Sequence, residues 1–252
     1  MQNDCVILTW GQALNAAETH GAKVNYGTDG VRFSAPMLPP GTDLYTWNSQ
    51  QSFEVTRSQG ALPLLKPDQQ YQLLSDVQAE PQGSLYFKLM TYDRNQHLVE
   101  EFRLDRAHQT FSYPATAQSY SLALVMQANQ SFHFRWVALA PASDLATDHV
   151  ELNSDLSLTW IAPPTATGIN LYVGRRDAES WSVPLASDQI SAVVRLSEQE
   201  LASDAATTAA LQRRLAEVKE WNQQELPVTI CGYGYPTPHL TQLAQQMMKT
   251  SK

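Results

Sequence analysis

The sequence predicts a mainly β protein: an N-terminal jelly-roll-like β-sandwich over residues 1–140, then a smaller α+β region over 150–252. Three observations carry this. From Leu62 to Leu139 short runs alternate apolar and polar residues with period two, and turn-forming residues separate them. Residues 140–149, Ala-Pro-Ala-Ser-Asp-Leu-Ala-Thr-Asp-His, are small, polar and proline-bearing, as a linker is. Beyond them, strand-like runs are followed by one long stretch of helical periodicity.

Taken in order, Val6, Leu8 and Trp10 alternate as one face of a first strand. Asn25-Tyr26-Gly27-Thr28-Asp29-Gly30 is a turn cluster, and Val31–Ser34 resumes as a strand. Pro36, Pro39, Pro40 and Gly41 force an irregular crossing before Leu44-Tyr45-Thr46-Trp47. In Leu85–Tyr92, Leu85, Phe87 and Leu89 share one face, while Tyr86, Lys88, Met90 and Tyr92 share the other. The lysine identifies the second face as the outer one. Asp93–Gln96 turns the chain into His97–Leu104; Tyr120, Leu122, Leu124 and Met126 alternate, and Phe132, Phe134 and Trp136 form the next inward face. After the linker, Leu156–Trp160, Ile169–Val173 and Ile190–Leu196 read as strands. Ser197 with Glu200 fits a capping box, and Leu211, Leu215, Val218 and Trp221 mark an apolar helical stripe. Four such side chains, each worth roughly 1.5–3 kcal/mol when buried, place that helix on the strands at Ile169–Val173 and Val228–Cys231. His239–Lys249 reads as a short amphipathic helix.

Composition narrows the function. With 43% hydrophobic and 17% charged residues the chain can bury a core, which excludes disorder. The net charge is −8, and acids outnumber bases both before residue 141 (12 to 9) and after it (13 to 8). No basic surplus is present for nucleic acid or for an anionic membrane surface. Asp4 stands where a signal peptide carries bases, and no segment reaches the roughly 18 apolar residues of a membrane helix. Two cysteines, Cys5 and Cys231, are too few for a disulfide scaffold, so the expected location is cytoplasmic.

No catalytic constellation emerges. The six histidines are scattered without metal-ligand spacing, so no metal site is expected. There is no G-x-S-x-G elbow, and Cys231-Gly232-Tyr233-Gly234 lacks the rest of a dinucleotide fingerprint, so it reads as a tight strand-to-helix turn. Neither an enzymatic activity nor a cofactor is expected. Binding chemistry is better represented. Flat rings stack on the C–H faces of pyranoses, which makes Tyr45, Trp47, Tyr86 and Tyr92 candidates for sugar or partner contact, with Arg57 and Arg94 as hydrogen-bond donors. Packing roles compete for each: Trp47 as core, Tyr86 as an edge filler and Arg94 as a turn residue.

An ordered series of local patterns goes further. It comprises Trp10-Gly11, the Pro40-Gly41-Thr42 turn before Trp47, Arg57, Leu62-Pro63-Leu64-Leu65-Lys66 and Tyr71. It continues with the Tyr86–Arg94 strand and its aromatic-Asp-Arg turn, Phe111-x-Tyr113-Pro114, Tyr120-x-Leu122-x-Leu124 and Phe132-x-Phe134. In order and spacing these resemble the third of the accessory Sec system proteins, encoded beside the second SecA and SecY of Gram-positive bacteria that export serine-rich-repeat adhesins. The likeness covers about the first 140 residues and departs at Pro67-Asp68-Gln69-Gln70, where the family often has glycine. It implies a fold similar to carbohydrate-binding modules. It also implies a non-catalytic role in a heterotrimeric complex with two partners, one glycosyltransferase-like and one acetyltransferase-like. That complex would help the accessory SecA motor deliver the glycosylated adhesin, with contact to the adhesin or its N-acetylglucosamine and membrane association only through the translocase. The alternative is a free-standing carbohydrate-binding module, and a third reading is a degenerate hydrolase-like domain at the C-terminus.

Overall fold

Period-two alternation is realised as paired sheets whose apolar faces meet. The computed structural model describes residues 4–11, 21–35, 38–50, 61–105, 109–128, 131–145, 149–176, 179–232 and 238–250. The chain divides into two units. One comprises Cys5–Ala146 with Glu179–Ser182; the other comprises Thr147–Ala178 and Val183–Lys252, with Met1–Asp4.

The first unit is a sandwich. Its larger sheet centres on β10 (Ser131–Pro141). One edge of β10 pairs with β3 (Gly30–Ser34) and then β1 (Asp4–Leu8); the other pairs along its length with β5 (Gln70–Glu80). Outside these lie β2 (Lys23–Gly27) on β3, β8 (Thr110–Ser112) on β5 and β14 (Ser180–Pro184) on β1. Gly30, at φ 123°, closes the β2–β3 hairpin against the backbone of β10, where a Cβ would collide with the Phe134 carbonyl oxygen. The facing sheet runs β4 (Asp43–Asn48), β9 (Ser119–Met126), β6 (Leu85–Tyr92), β7 (Leu98–Leu104), all antiparallel. Between the sheets Trp10, Phe33, Tyr45, Trp47, Phe132 and Phe134 pack ring on ring. As expected, Phe87 and Leu89 point into this core while Tyr86, Lys88, Met90 and Tyr92 stay half-buried on the other side.

One expectation fails at β10. A bulge between Phe134 and Trp136 sets Trp136 opposite Asp76 and Val137 opposite Ser75. The extra residue shifts the alternation, so Val137 and Leu139 continue the inward face and Trp136 turns to the other side.

The second unit holds a five-stranded sheet ordered β11 (His149–Leu152), β12 (Leu158–Ala162), β15 (Gln189–Leu196), β13 (Gly168–Arg175), β16 (Val228–Cys231). Strand β13 is parallel to both neighbours. The short helix α1 (Ala142–Leu145) packs on β5 and β10 within the sandwich, and α2 (Asp204–Trp221) and α3 (Pro238–Thr250) lie in the second unit. The expected helix on Ile169–Val173 and Val228–Cys231 is α3, whereas α2 packs on β15, with Leu211, Leu215 and Val218 in the shared core. Parallel β13 and β16 are joined by a crossover that carries α2, and α3 follows β16. The Ser197–Glu200 capping box forms, with Oε2 of Glu200 accepting from the Ser197 amide at 2.9 Å. It closes a turn ahead of the helix, which starts behind Ser203, whose Oγ accepts from the Ala206 amide. Among the described residues no helix is long and apolar enough to cross a membrane.

The outer face of the four-stranded sheet

All eight residues of β9 are buried, including the four that point away from the core. Ser119, Ser121, Ala123 and Val125 are small and form the floor of a trough. On one side β6 raises Tyr86, Lys88, Met90 and Tyr92; on the other, β4 raises Asp43, Thr46 and Asn48. Register explains the burial. Lys88 and Thr46 both lie opposite Ala123, and the Lys88 ammonium crosses β9 to Asp43 at 2.8 Å, roofing Ala123 and Val125. Burial alone would lower the Lys88 pKa; the bond to Asp43 outweighs it and the net shift is upward.

This ion pair separates two ends. At one, the Tyr92 hydroxyl lies 3.5 Å from Ser121 Oγ, and Gln96 Nε2 donates to Ser119 at 3.5 Å. At the other, the Arg103 guanidinium stacks 4.2 Å over the Tyr86 ring and donates to Gln127 at 2.6 Å. Beyond Arg103 a cleft of about 720 Å³ opens between the two sheets, lined by Leu73, Val77, Leu85, Phe87 and Leu124, with Arg103, Asp105 and Gln109 at its rim. A second hollow of about 760 Å³ lies against the larger sheet, where Lys23, Asn25, Arg32, Gln78, Glu80 and His133 surround apolar Phe33 and Phe132. There Arg32 holds Asp29 through two bonds of 3.0 and 2.5 Å, and the carboxylate stands 3.6 Å from His133 Nε2.

The residues singled out from sequence fall into three groups. Tyr86 and Tyr92 share the outer face, with Arg94 exposed in the turn just after Tyr92. Asp93 in that turn accepts from the His97 amide at 2.9 Å and, more weakly in effect, from the Asn95 amide at 2.8 Å, which holds its carboxyl below the usual range. Tyr45 and Trp47 are not exposed; each is 1% accessible. A bulge between Asp43 and Tyr45 in the β4–β9 pairing turns both rings inward, where Trp47 donates to the Thr9 carbonyl at 3.0 Å. The Tyr45 hydroxyl donates to Glu179 at 3.0 Å and accepts from the Gly11 amide at 3.2 Å. Burial, then the Glu179 charge, push this phenol well above its ordinary pKa, which marks a core contact. Arg57 lies outside the described residues, as does the turn from Tyr233 onward.

Three features escape sequence reading. Arg103 carries no local signal, because only the cross-strand register brings it over Tyr86. Glu179 lies far along the chain from the sandwich it joins. In the second unit, Arg214 is nearly buried (5% side-chain exposure) and bonds Asp155 and, at 2.7 Å, Glu217. Burial alone would raise the Asp155 carboxyl, but the Ser157 hydroxyl and the Arg214 charge together lower it. Among the described residues no cluster of three or more His, Cys, Asp or Glu side chains suits a metal ion.

Residues 18–140 match the family model described as accessory Sec secretory system ASP3. The chain is 30% identical over 109 residues to the accessory Sec system protein of that designation from Streptococcus gordonii, covering 43% of this chain and 69% of that protein. It is 27% identical over 139 residues to the Staphylococcus aureus protein of the same name, covering 55% of this chain and 44% of the relative, so it spans less than half of that protein's length. Among solved structures, one of accessory secretory proteins 1, 2 and 3 from Streptococcus pneumoniae matches at TM-score 0.50 and 29% identity, over 53% of this chain and 94% of that one. A glycosylation-associated Gap123 complex from Streptococcus agalactiae matches at TM-score 0.53 and 18% identity over 98% of this chain and 76% of that one, which extends the likeness of fold to the second unit. A sandwich with this strand order, matched in sequence across nearly its whole length, identifies the chain as a member of the accessory Sec system ASP3 family.

Proposed function

We propose that this chain is a non-catalytic subunit of an accessory Sec assembly that aids export of glycosylated serine-rich-repeat adhesins, working in the cytoplasm beside the accessory SecA motor. Its partners in this reading are the glycosyltransferase-like and acetyltransferase-like accessory proteins. The observation that carries it is the match of residues 18–140 to the family model, together with the likeness to a chain in a structure of accessory secretory proteins 1, 2 and 3. The test is co-expression with the cognate proteins 1 and 2, followed by size-exclusion chromatography. Joint elution is expected; elution of this chain at its monomer position while the other two travel together refutes the assembly role.

Contact with N-acetylglucosamine on the adhesin is a second element of the proposal, supported by the Tyr92 end of the trough. There a half-buried ring borders Ser119, Ser121 and Gln96, which together supply a stacking surface and hydroxyl partners. Tyr86 contributes less, because Arg103 already covers a face of its ring. Purified protein should bind N-acetylglucosamine-modified serine-rich peptide better than bare peptide, and Tyr92→Ala should remove the difference without unfolding the chain. Equal binding to the two peptides takes the sugar out of the reading. A free-standing module would show that preference with no partners present and none joining it on the column.

A further inference from the structure

Strand β7 ends the order β4–β9–β6–β7, and no described strand pairs with its outer side. Leu98 is 56% and Val99 37% exposed, and Glu100, Glu101 and Arg103 are exposed beside them. The direction of its backbone groups follows from one side chain. The Thr91 hydroxyl on β6 donates to the Glu100 carbonyl at 3.1 Å and accepts from the Glu100 amide at 3.2 Å. Both main-chain groups of Glu100 therefore face β6. Successive residues of an antiparallel strand alternate in direction, so the amides and carbonyls of Glu101 and Arg103 face away from it.

Edges of this kind are ordinarily blunted by lysine, proline, shortness or bulges. β7 has seven residues with neither lysine nor proline, and its register shift lies at the Leu98 end, leaving Glu100–Leu104 in regular pairing. Its inward residues are apolar where a neighbour would need a core. Phe102 packs 5.6 Å from Phe111, and Leu104 pairs with Phe87, which lines the cleft between the sheets. The protection present is charge, at Glu100 and Glu101, because Arg103, though exposed, lies over the Tyr86 ring and donates to Gln127.

We propose that β7 is a docking edge, extended as a fifth strand by a segment of another accessory secretory protein that carries basic residues opposite Glu100 and Glu101 and a large apolar residue over the cleft. This rests on the assembly reading above. A second copy of the chain fits less well: antiparallel pairing centred on Glu101 sets the acidic residues against each other, and pairing centred on Phe102 sets Glu101 opposite an Arg103 already engaged with Tyr86 and Gln127.

Amide hydrogen exchange over residues 98–105 tests this on the full chain, free and co-purified with the cognate proteins 1 and 2. Exchange there should slow by about tenfold or more in the complex, as for amides entering a ladder. Unchanged exchange in an intact complex overturns the docking edge and leaves the assembly role standing; absence of any complex overturns both. Glu101→Pro removes one outward amide and leaves the β6 ladder whole, so the folded variant should bind its partners about tenfold more weakly. Glu101→Lys, which keeps the backbone, should weaken binding through charge alone. Either variant binding at wild-type affinity, or slowed exchange that a second copy of the chain produces without partners, overturns the proposal.

Discussion

Trp47 and Tyr92 are both aromatic strand residues, and the structure assigns them opposite fates. Trp47→Ala should cost about 3–5 kcal/mol of sandwich stability, read as a lower denaturant midpoint, because the cavity would lie amid Tyr45 and Phe134. Tyr92→Ala, on a half-buried outer position, should cost about 1 kcal/mol or less. Binding lost with Trp47→Ala therefore reports unfolding, and only the Tyr92 change tests a surface. Sequence separates core from surface within β6, where Lys88 marks the outer face. It misplaces Trp136 because a bulge adds one residue and inverts the side chains after it, and such an insertion leaves no mark in apolar periodicity. A second bulge decides Tyr45 and Trp47, for which sequence leaves surface and core open, in favour of the core. Arg214 is invisible for another reason: its carboxylate partner Asp155 is 59 residues away. Arg214→Met should destabilise the second unit by about 3–5 kcal/mol, since it leaves Asp155 and Glu217 without their shared cation. The pH dependence has a definite sign. Asp155 is lowered from 3.8, so its contribution is present above that value and is lost as pH falls through the lower folded pKa. Melting of the second unit followed from about pH 6 down to about pH 3 should show this loss, and Asp155→Asn should flatten it.

At the level of elements, long runs with a single period are legible and the joints between them are not. The α2 stripe lies in the second core as its spacing predicts, yet the strand beneath it is β15, because the parallel pairing of β13 with β15 and β16 sets the sheet order. Local sequence does not encode which strand becomes central. The capping box shows the same limit: Ser197 and Glu200 satisfy each other, but the following residues turn once more before Ser203 starts the helix. Leu215 is 6% exposed among Leu211 and Val218, so Leu215→Asp buries an unpaired charge and should melt the second unit. Circular dichroism should show loss of helical signal, and an unchanged melting curve with only partner binding lost would make α2 a docking arm instead.

At the scale of the whole chain, the sequence points to a sandwich, a linker and an appendage laid end to end, and the contacts depart from that order. The expected linker starts within β10 and α1, which pack in the sandwich, Asp4 groups with the second unit, and one late segment returns to the first. Glu179–Ser182, which lies between β13 and β15 in sequence, belongs to the sandwich. Thr9 donates its amide and hydroxyl to the Glu179 carbonyl at 2.8 and 2.9 Å, and the Glu179 carboxylate fills the space a Cβ on Gly11 would occupy while it accepts from Tyr45. A chain ending at Ala146 keeps every other strand of the sandwich but leaves the edge of β1 open and the buried Tyr45 hydroxyl without its acceptor. These three lost bonds at about 0.5–1.5 kcal/mol each, one of them to a charged group, together with the lost β14–β1 pairing, predict a sandwich weaker by at least about 2–4 kcal/mol than in the full chain. Glu179→Ala in the full chain should reproduce about 1–3 kcal/mol of this, because it orphans Tyr45 alone. The midpoint of tryptophan fluorescence in urea measures both. Equal midpoints for the shortened and full chains would show that the sandwich is complete without residues 179–182.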